Sequence, residues 1–201
     1  MVNLQDIWIR CFADLGAELP HDAFADVTQR YREAHRAYHT TQHLDECFAY
    51  WTEMQASAEI GLALFYHDAI YDTHASGNEE KSAQLAMDAL GGTLSSMMLE
   101  RIVALILATK HDAEPQAGDA TLLVDIDLAI LGAAPQRFEE YERQVRVEYG
   151  WVPEADFRSG RARILQSFLD RPVLYGTKFF RDRLEAQART NLQHSLAALE
   201  G

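Results

Sequence analysis

The sequence predicts an all-α, single-domain protein, and three observations lead to this prediction. Apolar residues recur at the three- and four-residue spacing of helices along most of the 201-residue chain. No stretch shows the sustained alternation and β-branched enrichment typical of strands. Glycine, proline and N-capping residue types separate the periodic stretches. With 48% hydrophobic residues, a chain of this length can form one core, so we expect one domain over residues 1–201.

The first helices have marked boundaries. The first is expected to end at Gly16, and Pro20 opens the second. Thr40 and Thr41 are favourable N-capping types, so we expect the third helix to begin there. The run Ile60–Tyr71 is apolar nearly all round, which predicts a central buried helix over its whole length.

The later helices are predicted from capping residues and helix breakers. Asn78 is expected to cap a helix with Glu79 and Glu80 in its first turn, where the helix dipole favours acidic side chains. Asp119 is expected to cap the helix that follows the loop at 111–118. The predicted helices of this part of the chain cover about 78–90, 94–110, 119–132, 135–149, 153–169 and 177–199.

Composition limits the classes of partner. The net charge is -13, from 31 acidic and 18 basic residues, so we expect no nucleic-acid polymer as a partner. Two cysteines, Cys11 and Cys47, do not suggest a disulfide scaffold and are consistent with a reducing compartment. The sequence shows neither a signal-peptide pattern nor an apolar run long enough to span a bilayer. We therefore expect a cytoplasmic location and no membrane partner.

Ionisable residues in apolar surroundings indicate a metal site. The helix expected over 60–71 contains His67 and Asp68 side by side, and their burial costs several kcal/mol unless they are paired or bind a metal. His43 and a late aspartate, Asp127 or Asp125, complete a set of two imidazoles and two carboxylates. Such a set suits a divalent ion of Mn, Mg, Co, Ni, Fe or Zn. For each residue alone, the alternative is a hydrogen-bonded core side chain or a buried ion pair.

A histidine, a His-Asp pair and a late aspartate occur in the order that defines the HD superfamily of metal-dependent phosphohydrolases, which the chain resembles. Segments 38–43, 78–83 and 125–132 resemble, more narrowly, a bacterial stand-alone subfamily of predicted metal-dependent phosphohydrolases. The resemblance implies a helical bundle of the HD type, with a metal-binding core over about 36–132 and a C-terminal helical extension over about 135–199. The metal ligands that it implies are His43, His67, Asp68 and Asp127.

The choice between the two late aspartates depends on their neighbours. The leucine that follows Asp127 matches relatives of the superfamily, which favours Asp127 over Asp125 as the last ligand. The residues one turn from Asp127 are also more apolar, which makes an unpaired carboxylate costlier there.

The resemblance also implies catalytic residues. His39 matches a histidine that protonates the leaving group, and Asp68 would orient the attacking water. Glu79 is a candidate general base, ahead of Glu80, and Lys110 would stabilise the leaving group or the phosphate. The alternatives are a surface or capping role for His39 and ordinary first-turn helix chemistry for the two glutamates.

Basic residues are candidates for contact with substrate phosphate. A guanidinium can bind phosphate through two parallel hydrogen bonds, whereas the default role of a surface arginine is a salt bridge. For a histidine at a helix end, the alternative is a favourable interaction with the helix dipole. The predicted phosphate contacts are Arg36, Lys110, His111, Arg146 and Arg161.

Together these features predict metal-dependent hydrolysis of a phosphate ester or anhydride in a nucleotide-like small molecule, by a chain that can form a homo-oligomer. One alternative is a non-catalytic module that senses a nucleotide or a metal. A second is a di-iron oxygenase, whose extra ligands would have to come from His111 with His39 or with Glu79 and Glu80.

Overall fold

The computed structural model describes residues 3–110 and 118–200, and over these ranges the chain is all-helical, as predicted, with ten α-helices and no strand. The chain divides into two compact units, residues 1–126 and 127–201, so the single-domain organisation stays a prediction. The helices are α1 (Leu4–Leu15), α2 (Ala23–Arg30), α3 (Thr41–Glu53), α4 (Ala58–Tyr66), α5 (Asn78–Leu90), α6 (Ser96–Ala108), α7 (Asp119–Asp127), the 3-10 helix Leu128–Gly132, α8 (Pro135–Glu148), α9 (Glu154–Leu169) and α10 (Lys178–Glu200).

The first unit is organised around α4. Every residue of Ile60–Tyr66 is buried, and the helix packs against α1, α2, α3, α5 and α6. Burial of each Leu, Ile or Phe side chain in such a helix stabilises the fold by about 1.5–3 kcal/mol. The central buried helix predicted from the apolar run is thus confirmed.

The predicted length of this helix is wrong. α4 ends at Tyr66, His67 is its C-cap, and Asp68 follows in a turn, so neither residue of the pair lies within the helix. The carbonyls at a helix end need donors from outside the helix. Here the Tyr31 hydroxyl donates to the carbonyl of Phe65 at 3.1 Å. The guanidinium of Arg36 donates to the carbonyls of residues 68 and 69, in the turn beyond the helix. Because side chains pair with the Phe65 carbonyl and with the carbonyls of the turn beyond it, the chain can leave the helix at Tyr66.

Three other predicted boundaries agree closely with the structure, whereas the second helix begins at Ala23 and not at Pro20. Gly16 ends α1 in the left-handed conformation, Thr40 caps α3, and Pro135 is the first residue of α8. Asn78 differs from its prediction, because it is the first residue of α5 and its side chain does not cap the helix. Its side-chain amide instead exchanges two hydrogen bonds with the main chain of Asp72, which closes the loop before α5.

The close approach of α4 to α1 and α3 depends on Gly61. A Cβ atom at this position would lie 2.6 Å from Cys11 Sγ and 3.2 Å from two ring atoms of Trp51. Both neighbours are buried, so neither can move without disturbing the core. The absence of a side chain therefore lets three helices meet at one point.

Substitution Gly61→Ala is expected to lower the free energy of unfolding by about 1–3 kcal/mol, because the added methyl overpacks the core. The better helix propensity of alanine offsets about 1 kcal/mol of the steric effect. Denaturant unfolding measures the change, and Gly92→Ala, which meets no described atom within 4 Å, is the control. A Gly61→Ala protein as stable as the control would refute the steric argument.

In the second unit, α10 packs on α9 and on the 3-10 helix 128–132. The Asn191 side chain donates to the carbonyls of Leu131 and Ala133 at 2.8 and 2.9 Å, and the Tyr175 hydroxyl donates to that of Leu128 at 3.1 Å. These buried side chains fix the 3-10 helix that directly follows α7. Neither α10, with its 23 residues, nor any other helix in the described ranges has the length and apolarity that a membrane span requires.

The connection between α9 and α10 is held by two side chains of α10. The Glu185 carboxylate accepts hydrogen bonds from the main-chain N–H groups of residues 174 and 175. Arg189 pairs with Glu185 and donates to three main-chain carbonyls. These carbonyls belong to Leu169, Arg171 and Pro172.

Candidate metal centre

The structure brings together the four residues predicted as metal ligands. His43 lies in the first turn of α3, His67 and Asp68 lie at the end of α4, and Asp127 is the last residue of α7. One nitrogen or carboxylate oxygen of each residue lies within 4.8 Å of those of the other three. The histidines are buried and the aspartates are half-buried. This cluster, hereafter the His/Asp group, can hold a metal ion.

Asp127 is the last residue of a helix that otherwise belongs to the first unit. The boundary between the two compact units falls after Ile126, within α7. All other residues of α7 belong to the first unit, so the His/Asp group is built on α3, the end of α4 and the end of α7.

The distances within the group fit the coordination shell of one ion. His43 Nε2 and His67 Nε2 are 3.1 Å apart, and Asp68 Oδ2 lies 3.0 Å from His67 Nε2 and 3.6 Å from His43 Nε2. Ligand atoms about 2.1 Å from an ion are separated by about 3.0 Å at a right angle and by about 3.4 Å at a tetrahedral angle. The three measured distances span these values, so these ligand atoms can share one ion.

The orientation of His67 prepares it to be a ligand. Its Nδ1 lies 2.8 Å from the carbonyl oxygen of Leu64, which can only accept a hydrogen bond, so we assign the ring proton to Nδ1. In the neutral ring Nε2 then carries a lone pair, and it is the nitrogen that faces His43 and Asp68. The other ring nitrogen of a metal-binding histidine commonly donates a hydrogen bond to a carbonyl in this way.

Cys47 is a neighbour of the group that was not predicted from the sequence. The thiol of Cys47 lies 3.7–3.8 Å from both ring nitrogens of His43, so the sulfur packs against the imidazole. The four-residue spacing of these residues on α3 was the available signal, because residues so spaced share a helix face. We give Cys47 a packing role beside the ligand.

His39 lies next to the group, in the turn before α3 and not within the helix. Its Nε2 is 4.0 Å from Asp68 Oδ2, and its ring stacks on Tyr71 with centroids 4.0 Å apart. About a fifth of the His39 and Asp68 side chains is exposed, at 19% and 20%. Both are therefore accessible to a small molecule beside the buried histidines.

Asp125, the alternative last ligand, does not belong to the group among the described residues. It is the more buried of the two aspartates, since only 1% of its surface is exposed whereas Asp127 is half-buried. The more apolar sequence neighbours of Asp127 therefore do not make it the more buried of the two aspartates, although Asp127 is the residue that joins the group.

The predicted acid–base residues of α5 and α6 are not members of the His/Asp group within the described ranges. Glu79 is half-buried in the first turn of α5. Lys110, just beyond α6, forms an ion pair with Glu80, and the hydrogen bond from Lys110 lowers the pKa of Glu80. His111 lies outside the described residues. The proposed roles of these side chains stay predictions.

The predicted phosphate-binding arginines already have protein partners. Arg36 is buried in the first unit, and its guanidinium donates mainly to main-chain carbonyls. In the second unit, Arg146 pairs with the Glu154 carboxylate at 2.9 Å, and Arg161 pairs with Glu142. The structure thus shows Arg36 as a support of the main chain, whereas phosphate contacts by the other two stay predictions.

No family model, no curated protein and no solved structure matches this chain. The resemblance to the HD superfamily therefore depends on the order of the motif residues and on the segments 38–43, 78–83 and 125–132. The fold and the site define an all-helical protein with a partly buried His/Asp group that can hold a metal ion.

Proposed function

We propose that this protein is a metal-dependent phosphohydrolase of the HD type, acting on a phosphate ester or anhydride of a nucleotide-like small molecule. The observation that carries the proposal is the His/Asp group, because its four ligand atoms come from three chain segments that are far apart in sequence. Two imidazoles and two carboxylates suit several divalent ions, and four ligands leave positions for water and substrate in an octahedral shell.

The residues around the group suit phosphoryl transfer to water. His43, His67, Asp68 and Asp127 would hold a divalent ion, which would supply charge to polarise a phosphoryl oxygen and to lower the pKa of a water molecule. Asp68, which is partly exposed, would accept a hydrogen bond from that water and orient it. His39 lies 4.0 Å from Asp68 and is also partly exposed, so it can donate a proton to the leaving oxygen. The stacked ring of Tyr71 holds the His39 imidazole in place for this step.

A metal-by-substrate screen tests the proposal. Purified protein is loaded separately with Mn²⁺, Co²⁺, Ni²⁺, Mg²⁺ or Zn²⁺, and phosphate release is measured from phosphomonoesters, phosphodiesters and nucleoside di- and triphosphates. We expect turnover with at least one ion. Substitution Asp68→Asn is expected to lower kcat about a hundredfold or more, because it removes the negative charge and replaces one carboxylate oxygen with an NH2 donor. Asp72→Asn is the control, since Asp72 is exposed and lies outside the group.

Other outcomes would point to other functions. An unchanged rate in Asp68→Asn would refute catalysis at the group. Tight nucleotide binding without turnover under any metal would favour a sensing module. Two iron ions per chain together with oxygen consumption would favour an oxygenase.

A further inference from the structure

The side chain of Arg36 is fully buried in the first unit, with 0% of its surface exposed, although it carries a permanent charge. A buried charge needs a partner, and the Glu33 carboxylate accepts from Nε at 3.0 Å. The rings of Tyr31 and Tyr71 flank the guanidinium, at 5.2 and 5.5 Å from its central carbon.

The other guanidinium nitrogens bind two separate chain segments. Nη1 donates to the carbonyl of His39 at 3.2 Å and to that of Asp68 at 2.7 Å, while Nη2 donates to the carbonyl of Ala69 at 2.9 Å. The first carbonyl belongs to the turn that leads into α3, and the other two belong to the turn that follows α4. One side chain therefore joins the two turns.

Each of the two turns adjoins ligands of the His/Asp group. The turn before α3 contains His39 and leads into the first helical turn, which holds His43. The turn after α4 contains Asp68 and directly follows His67. The distances between the ligand atoms therefore depend on how these two turns are held against each other, and Arg36 holds them.

We propose that Arg36 is a positioning residue of the metal centre, and that its guanidinium sets the distance of His67 and Asp68 from His43. The inference rests on the proposed metal site and assigns Arg36 to the support of that site instead of to substrate phosphate. A guanidinium presents five donors in a rigid fork, whereas a lysine ammonium has three. A lysine therefore cannot donate to three carbonyls and a carboxylate at the same time.

The second unit contains a matched arginine. Arg189 resembles Arg36 in its contacts, because Nε donates to the Glu185 carboxylate at 2.9 Å and the remaining nitrogens donate to three carbonyls at 2.9–3.2 Å. None of those carbonyls adjoins a member of the His/Asp group. Arg189→Lys therefore measures how the loss of hydrogen bonds from an arginine to three carbonyls affects stability, without a change beside the His/Asp group.

The experiment compares wild type, Arg36→Lys and Arg189→Lys. Co²⁺ affinity is measured by competition with a chelator, the Co²⁺ environment by visible absorption, and stability by thermal unfolding of the metal-free proteins. Both variants are expected to unfold at a lower temperature. Only Arg36→Lys is expected to bind Co²⁺ more weakly, by about tenfold or more, and to show an altered Co²⁺ absorption spectrum. Loss of a group that orients metal ligands commonly lowers metal affinity by this amount.

The outcomes separate this inference from the proposed site. Wild-type affinity and spectrum in Arg36→Lys would overturn the inference and leave the metal centre intact, whereas a wild-type protein without Co²⁺ binding would overturn both. If Arg36→Lys does not fold, Glu33→Ala provides the test, because it removes the carboxylate that orients the guanidinium. Weaker Co²⁺ binding by Glu33→Ala would support the inference, and unchanged binding would reject it.

Discussion

Substitution His67→Ala is expected to abolish metal binding while leaving the helical fold in place. Nε2 of His67 lies within 3.1 Å of ligand atoms from both His43 and Asp68, so its loss removes the central donor of the His/Asp group. In the wild type, a metal at a hundred times its Kd would raise the free energy of unfolding by about 2.7 kcal/mol. The variant is expected to lose this whole increment.

The metal-free variant is expected to be only moderately destabilised. The buried carbonyl of Leu64 loses its hydrogen bond from Nδ1, which costs about 1–3 kcal/mol. Metal content after gel filtration and unfolding with and without Co²⁺ measure the two effects. His194→Ala is the control, because His194 is exposed on α10. Full metal content in His67→Ala, together with a large loss of stability, would show that His67 is a core residue and not a ligand.

Substitution Gly132→Ala is expected to cause the largest loss of stability of any change proposed for the second unit. A Cβ atom at this position would lie 2.5 Å from Leu184 Cβ, 2.9 Å from the Leu184 carbonyl oxygen and 3.1 Å from Leu184 Cα. Since two of these three atoms are main chain, relief requires a shift of α10 against the 3-10 helix. We expect a loss of about 3 kcal/mol, the upper part of the range for overpacking.

The same chemical change at Gly160, within α9, should have the opposite sign. An added Cβ there meets no described atom within 4 Å, so alanine contributes its better helix propensity, about 1 kcal/mol. Denaturant unfolding of Gly132→Ala and Gly160→Ala gives the comparison. Equal stabilities would show that α10 can move away from Gly132 at little cost.

The helices were largely predictable from sequence because their causes are local. Gly16, Thr40 and Pro135 act through their own backbone conformation or side chain, and each marks a boundary in the structure. The end of α4 was not predictable in this way. The donor to its Phe65 carbonyl is Tyr31, and the donor to the carbonyls of the turn that follows is Arg36, both more than thirty residues earlier in the chain.

For the candidate site, the residue order predicted which side chains meet but not what supports them. His43 and Asp127 could be chosen without knowledge of the fold because their places in the sequence match the ligand order of the HD superfamily, which the chain resembles. The role of Arg36 has no such chemical signature, because a guanidinium that binds carbonyls and one that binds phosphate look the same in a sequence. Contacts with main-chain atoms are set by tertiary structure, and residue type does not encode them.

The two buried thiols offer an intrinsic chemical probe of local opening. Cys11 on α1 and Cys47 on α3 are the only cysteines in the sequence, and both belong to the first unit. Burial raises the pKa of Cys11 to about 12, so little reactive thiolate forms at neutral pH. The rate at which a thiol reagent labels the folded protein therefore reports how often the first unit opens. The second unit contains no cysteine, so its opening is not detected by thiol labelling.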